Sequence, residues 1–262
     1  MSRVSTLTAV LAVFSLTTGC ATVTVARDKA AAVKTVAIIG FTGVTDLTEK
    51  DSSGRKTTGG SIAGTIGAVQ GSKDLFSGDL DRRRIDQAEQ AYQLLEQELE
   101  KTTGWKVADR KAVAADSDYG NALKENPNTD SVVLVGVQRL PDVLRAEVAD
   151  TMDAKQRAEL CHRLGVDAVA IAKVRYVIGD RGGLSIGGFG NKIIYPKAIV
   201  DLKVLDGTEL PVWRDRYAEG KPTKDGLEDV MGTKNLEQES NILVAAAKSG
   251  FETLGERYKQ QP

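Results

Sequence analysis

Residues 197–217 constrain the fold more than any other stretch of the chain. Ala198, Val200, Leu202 and Val204 alternate with Lys197, Asp201 and Lys203, so Lys197–Leu205 reads as a strand with one face on a core and one toward water. Asp206-Gly207 follows, the strongest short hairpin signal. Glu209–Tyr217 is the returning strand. Pro211 has no N–H for a ladder, which places that strand at a sheet edge or delays its start.

The rest of the chain supplies what packs around this hairpin. Val33–Phe41 is a short apolar run with β-branched residues, expected as a buried strand. Arg84–Lys101 is the clearest helix. Ile85, Ala88, Tyr92, Leu95 and Leu99 fall at helical spacing, Gln and Glu occupy the other face, and Gly104 stands where a helix stops. Trp105–Asp109 is a short strand, Arg110–Asn128 helix plus loop, and Ser131–Val137 a further strand. Ala154–Leu164 is a second helix with Ala158, Cys161 and Leu164 along one face and Gly165 at its end. Val166–Ile178 is a strand, and Glu237–Tyr258 a last helix burying Leu243, Ala247, Gly250, Leu254 and Tyr258. This order predicts an α/β fold: a single three-layer-type sandwich in which a mixed β-sheet with an antiparallel hairpin carries packed helices.

The amino terminus reads as an export signal. Arg3 precedes an apolar run from about Leu7 to Leu16, too short for a bilayer span and the length of a signal-peptide core. Thr17-Thr18-Gly19-Cys20 follows and resembles a bacterial lipoprotein lipobox, with its leucine one position early. The resemblance implies cleavage between Gly19 and Cys20, and acylation of Cys20. Ala21, where an inner-membrane lipoprotein commonly has aspartate, implies the outer membrane, facing the periplasm. The expected organisation is a signal peptide over 1–19, a short membrane tether over 20–32, and a periplasmic domain over 33–262. A dozen extended residues reach about 40 Å, so the domain stays close to its membrane.

Thirteen of the 26 glycines fall in two insertions, 54–78 and 179–190. In the first, Gly60-x3-Gly64 and Gly67-x3-Gly71, with Ile62, Ile66 and Val69 between, resemble a glycine zipper; a flexible loop is the other reading. In the second, Leu184, Ile186 and Phe189 do not supply the alternating run of about 9–11 residues that a membrane strand needs. Gly60, Ile62, Gly64, Ile66, Gly67, Leu184, Ile186 and Phe189 are the candidate partner or membrane contacts.

Composition excludes several chemistries. One histidine and two cysteines build neither a disulfide framework nor a single-chain zinc site of three histidines, two of each, or four cysteines. A histidine-based triad has only His162 to use. A sequence pI near 6.0 gives no electrostatic reason for nucleic acid as a partner. The glycines match no P-loop and no dinucleotide fingerprint: Gly71-Ser72-Lys73 and Gly190-Asn191-Lys192 interpose a residue, and Gly188-Phe189-Gly190 lacks its third glycine. Ser53-x-x-Lys56 matches an acyl-enzyme motif but has no Ser-Asp-Asn or Lys-Thr-Gly partner. Asp116-Ser117-Asp118 begins like a calcium loop with its glycine misplaced. Cys161-His162 are adjacent on a helix and point about 100° apart, which favours a buried thiol beside a surface imidazole.

Four segments in order resemble one group. Val36–Phe41 (VAIIGF) looks like its first strand and Val107–Arg110 (VADR) like its second-strand motif. Leu164–Val174 (LGVDAVAIAKV) is similar to its Leu-Gly-Ala-Asp turn and strand, departing at Lys173, and Ala198–Trp213 to its hairpin. The group comprises periplasmic lipoproteins of the curli-secretion (CsgG-like) type, penicillin-binding-protein activators and the amino-terminal domain of TolB. The resemblance implies a protein-binding or assembly role in envelope biogenesis or secretion, with no catalytic residues, no cofactor and no metal. It implies a membrane partner through the lipid, envelope proteins, and homo-oligomers of the kind the curli-secretion members form. An activator of a peptidoglycan synthase is the alternative, although that branch uses a long Pro-rich tether. A hydrolase of unknown type, using Ser53 and Lys56 or acidic residues, is a further one.

Overall fold

The computed structural model describes residues 23–45, 78–126, 137–182, 193–208, 210–228 and 236–262. The hairpin forms as the alternation predicts. Strands β6 (Ile193–Leu205) and β7 (Pro211–Glu219) pair antiparallel, and Ala198, Val200, Leu202 and Val204 are fully buried. The connection is longer than the dipeptide implies. Leu205 pairs with Pro211, Gly207 does not take positive φ, and the Asp206 carboxylate instead accepts the Thr208 N–H at 2.8 Å.

The sheet is completed by β1 (Val23–Val25), β2 (Thr35–Thr45), β3 (Lys106–Val107), β4 (Val137–Gln138), β5 (Ala168–Gly182) and β8 (Leu227–Glu228). Its order is β1-β7-β6-β5-β2-β3, with β4 on β2 and β8 on β6. The β2–β5 and β2–β3 pairs are parallel and the others antiparallel, so the sheet is mixed.

Helices cover both faces, which makes the predicted three-layer α/β sandwich. On one face lie α2 (Gly78–Thr103) and α7 (Leu236–Gln260), which bring Ala88, Tyr92, Leu95, Ala247 and Phe251 onto Val36, Ala170 and Val200. On the other lie α3 (Arg110–Ala114), α4 (Ser117–Glu125), α5 (Ala146–Ala149) and α6 (Ala154–Leu164), bringing Val113, Tyr119 and Leu160 onto Ala37, Ile39 and Val169. β2 and the first part of β5, Ala168–Ala172, are thus sandwiched and read as continuous apolar runs, whereas β5 beyond Ala172 carries Lys173 and Arg175, and much of the second face of β6 stays polar and the strand alternates. Helix α6 has the boundaries the sequence predicts, with an Asp153–Gln156 capping box and Gly165 at φ 64°. Gly104, after α2, stands at φ 75°.

Ile39 is an extra residue in β2. The register with β5 shifts between Ile38 and Gly40, so Phe41 joins Val36 and Ile38 on the α2 side. The Ile39 carbonyl accepts a hydrogen bond from Tyr119 Oη at 2.7 Å, and the same hydroxyl accepts from Leu144 N at 3.0 Å.

Several expectations are corrected. Residues 23–32 are folded where a tether was expected. Val23–Val25 adds a strand to the outer side of β7, and α1 (Arg27–Ala32) packs at the base of the sandwich. There Arg27 Nη2 donates to Tyr258 O at 2.7 Å and its guanidinium lies 4.7 Å over the Tyr258 ring. Three residues are too few for a periodic signal, and α1 begins without a side-chain cap. Because β1 lies outside it, β7 is not the edge strand, and Pro211 marks its late start. Helix α2 starts at Gly78, six residues before Arg84. Most of the strand expected over 131–137 lies outside the described residues, and β4 holds only Val137 and Gln138.

One end of the sandwich collects the ends of several strands. At that end β2 stops at Thr45, β4 starts opposite Val44, the β5–β6 hairpin ends at Gly182 and Ile193, and β8 pairs with Ile193 and Ile194. β1 enters the sheet from the same side, since it runs antiparallel to β7 and β7 runs alongside β5 in the same sense. Beyond Tyr176 the β5–β6 hairpin stands past β2 by about 20 Å, with Ile178, Ile194 and Leu227 clustered on it.

Candidate functional site

The candidate residues of the sequence reading, Gly19, Cys20, Gly60, Ile62, Gly64, Ile66, Gly67, Leu184, Ile186 and Phe189, all lie outside the described residues, as do Ser53 and Lys56. Among the described residues, no three His, Cys, Asp or Glu side chains converge on a metal position.

The motif residues that are described have structural roles. Cys161 is buried, and burial pushes its thiol up to about 11; His162, its neighbour, is exposed. Asp116 caps α4 by accepting Tyr119 N at 3.0 Å, and Arg163 Nε donates to it at 2.9 Å. Asp167, from the Leu-Gly-Val-Asp turn, accepts the backbone N–H groups of Lys34 and Thr35, each at 2.8 Å, and so ties the start of β2 to the start of β5. Lys173 pairs with Glu147 of α5, whose other oxygen accepts from Thr42 at 3.1 Å.

The structure assembles a different site. A groove of about 660 Å³ lies between α2 and the edge strand β3, lined also by the entrance of α3 and by residues 164–166. Helix α2 brings Glu89, Tyr92, Glu96 and Glu100 to it, one or two turns apart on one side of the helix. The β3–α3 turn adds Asp109 and Arg110.

Arg110 is held by two carboxylates and a ring. Its Nη1 meets Glu89 Oε2 at 2.7 Å, its Nε meets Asp142 Oδ2 at 3.0 Å, and its guanidinium lies 5.2 Å over the Tyr92 ring. Glu100 Oε1 accepts the Val107 N–H at 3.2 Å, satisfying a donor on β3. Asp109 caps α3 through Ala112 N at 3.0 Å.

Two groups have no such partner. Tyr92 is 1% exposed and its hydroxyl makes no hydrogen bond among the described residues; Glu96 is the charged group that acts on it most strongly. Glu96 is half-buried and likewise makes no hydrogen bond among the described residues. Partial burial raises the Glu96 carboxyl to about 7, opposed by Arg110 and reinforced by Glu89, Glu100 and Asp109.

Sequence reading placed Tyr92 in the core stripe and passed over the rest. A signal existed. Between Arg84 and Lys101 the helix carries Asp86, Glu89, Glu96, Glu98 and Glu100 and not one lysine or arginine, an imbalance that an ordinary solvated face does not need. No protein-family model matches the chain, and no curated protein matches it in sequence.

Proposed function

We propose that the chain is an outer-membrane lipoprotein, anchored through Cys20 and facing the periplasm, which binds protein partners in envelope assembly or secretion without catalysis. One relationship carries this reading. Cys20 is three residues before Val23, the first residue of β1, so a lipid on Cys20 stands within about 10 Å of the sheet. The domain is then held close to the bilayer. The ordered resemblance of VAIIGF, VADR, LGVDAVAIAKV and the 198–213 hairpin to the periplasmic lipoprotein group supports the assembly role. The short reach from Cys20 to β1 speaks against an activator that must contact enzymes at the inner membrane.

The test is fractionation of cells expressing the full chain and Cys20→Ser. Wild type incorporates palmitate and sediments with the outer membrane; Cys20→Ser does neither. A Cys20→Ser protein that still fractionates with the outer membrane overturns the anchoring.

A further inference from the structure

The groove between α2 and β3 is lined by Glu89, Glu96, Glu100 and Asp109 against Lys106, Arg110 and Lys111, and Glu96 forms no ion pair among the described residues. Around Glu96 stand Glu89 and Glu100 from α2 and Asp109 from the turn after β3, with Arg110 the cation that acts on it most strongly. Arg110 is shared between Glu89 and Asp142. Lys106 and Lys111 also line the groove, but both are exposed and neither forms an ion pair among the described residues. The acids are spaced along a helix and do not converge on one point, so they do not suit a compact metal ion. Beside Glu96 lies a fully buried hydroxyl, Tyr92 Oη, with a lone pair and a proton to offer and no partner. A buried polar group left in this state costs free energy that a ligand donor would recover.

We propose that this groove binds a cationic head on an alkyl stem, a primary ammonium or a guanidinium, which donates to the Glu96 carboxylate and to Tyr92 Oη. The aliphatic stem lies along the groove, and the head, with several donors, serves both oxygens at once. Lysine and arginine side chains of a partner polypeptide carry this chemistry, and so do free diamines. The inference adds the chemistry of a partner to the function proposed above and does not depend on where the chain is anchored.

Binding is linked to a proton. Near neutral pH Glu96 is partly protonated, and a cation beside it drives that proton off. The charged groups that set this balance are Glu89, Glu100, Asp109 and Arg110, with Asp142 acting through Arg110.

The experiment is calorimetric titration of the full chain in detergent at pH 7, in two buffers of different ionisation enthalpy. Three probes are used: 1,5-diaminopentane, an acetylated and amidated Ser-Gly-Lys-Gly-Ser peptide, and the same peptide with norleucine for lysine. The expected result is saturable binding of a cationic probe with proton release, and no binding of the norleucine peptide. Tighter binding of the peptide than of the diamine points to a polypeptide source, and the reverse to a small amine. Glu96→Gln, which keeps a good helix former, is expected to weaken binding at least about tenfold and to abolish proton release. Tyr92→Phe removes only the hydroxyl and is expected to weaken binding about threefold. A thermal melt of each variant confirms folding. Failure of both cationic probes to bind wild type, equal binding of the norleucine peptide, or unchanged binding by a folded Glu96→Gln, overturns the proposal.

Discussion

Asp215, wholly buried on β7, accepts a hydrogen bond at 2.8 Å from Arg257 Nε on α7, so one charge pair joins the sheet to the last helix. Burial pushes the Asp215 carboxyl above its usual range, and the Tyr217 N–H and then Arg257 counter this. Arg257→Ala therefore leaves a buried carboxylate without its counter-charge, at an expected cost of about 3–5 kcal/mol at pH 7. A raised carboxyl pKa means that the folded state holds the proton more tightly than the unfolded chain, so this contribution falls as pH rises. The cost of Arg257→Ala is then smaller at pH 4 than at pH 7, as read from urea melts. Equal costs at both would show that lost packing of the arginine, and not its charge, is responsible.

Asp167 has the opposite sign. Hydrogen bonds from the Lys34 and Thr35 backbone, and then from Thr35 Oγ1 at 3.0 Å, hold its carboxyl below the usual range. Its stabilisation is present above the unfolded value of about 3.9 and is lost as pH falls through the lower folded one. Because the group is exposed, screening limits the effect. Asp167→Asn is expected to cost about 1 kcal/mol at neutral pH and almost nothing near pH 2. Denaturant melts across this range check it, and a pH-independent cost would argue that the carboxylate's charge is irrelevant.

Gly40 follows the extra residue in β2, and α5 packs directly on it. A Cβ at this position would stand 2.6 Å from Ala149 Cβ and 3.1 Å from Ile171 Cγ2. Gly40→Ala is expected to cost about 1–3 kcal/mol through overpacking, lowering the melting temperature by about 3–10 °C. Ala149→Gly in the same chain opens the contact and recovers part of the loss. An unchanged melting temperature in Gly40→Ala would mean that α5 moves away freely.

The sandwich was legible because its signals are repetitive. Eleven residues of β2 and twenty-five of α7 each repeat a burial pattern often enough to be read, and Gly104 and Gly165 mark helix ends by a conformation few other residues adopt. β1 was not legible, since Val23–Val25 is stabilised by Trp213, Arg214 and Asp215, nearly 200 positions away. The groove was half legible. The run of acids on α2 stands in the sequence, but nothing local shows that β3 and Arg110 return to enclose Glu96, or that the Tyr92 hydroxyl ends without a partner. Such a site is made by chain segments meeting, and single-sequence periodicity reports only on segments one at a time.

The gathering of strand ends at one pole of the sandwich has an evolutionary consequence. Thr45, Gly182, Ile193 and Glu228 end or begin their strands on that side, while Trp105, Trp213 and Tyr258 interlock toward the other, with Trp213 and Tyr258 ring centroids 4.6 Å apart. Closing a longer connection costs only about 0.6 kcal/mol for each doubling of its length. Insertions and deletions there leave strand register and the aromatic lock untouched. Descendants of this chain can therefore diversify one pole by trial while inheriting the other intact.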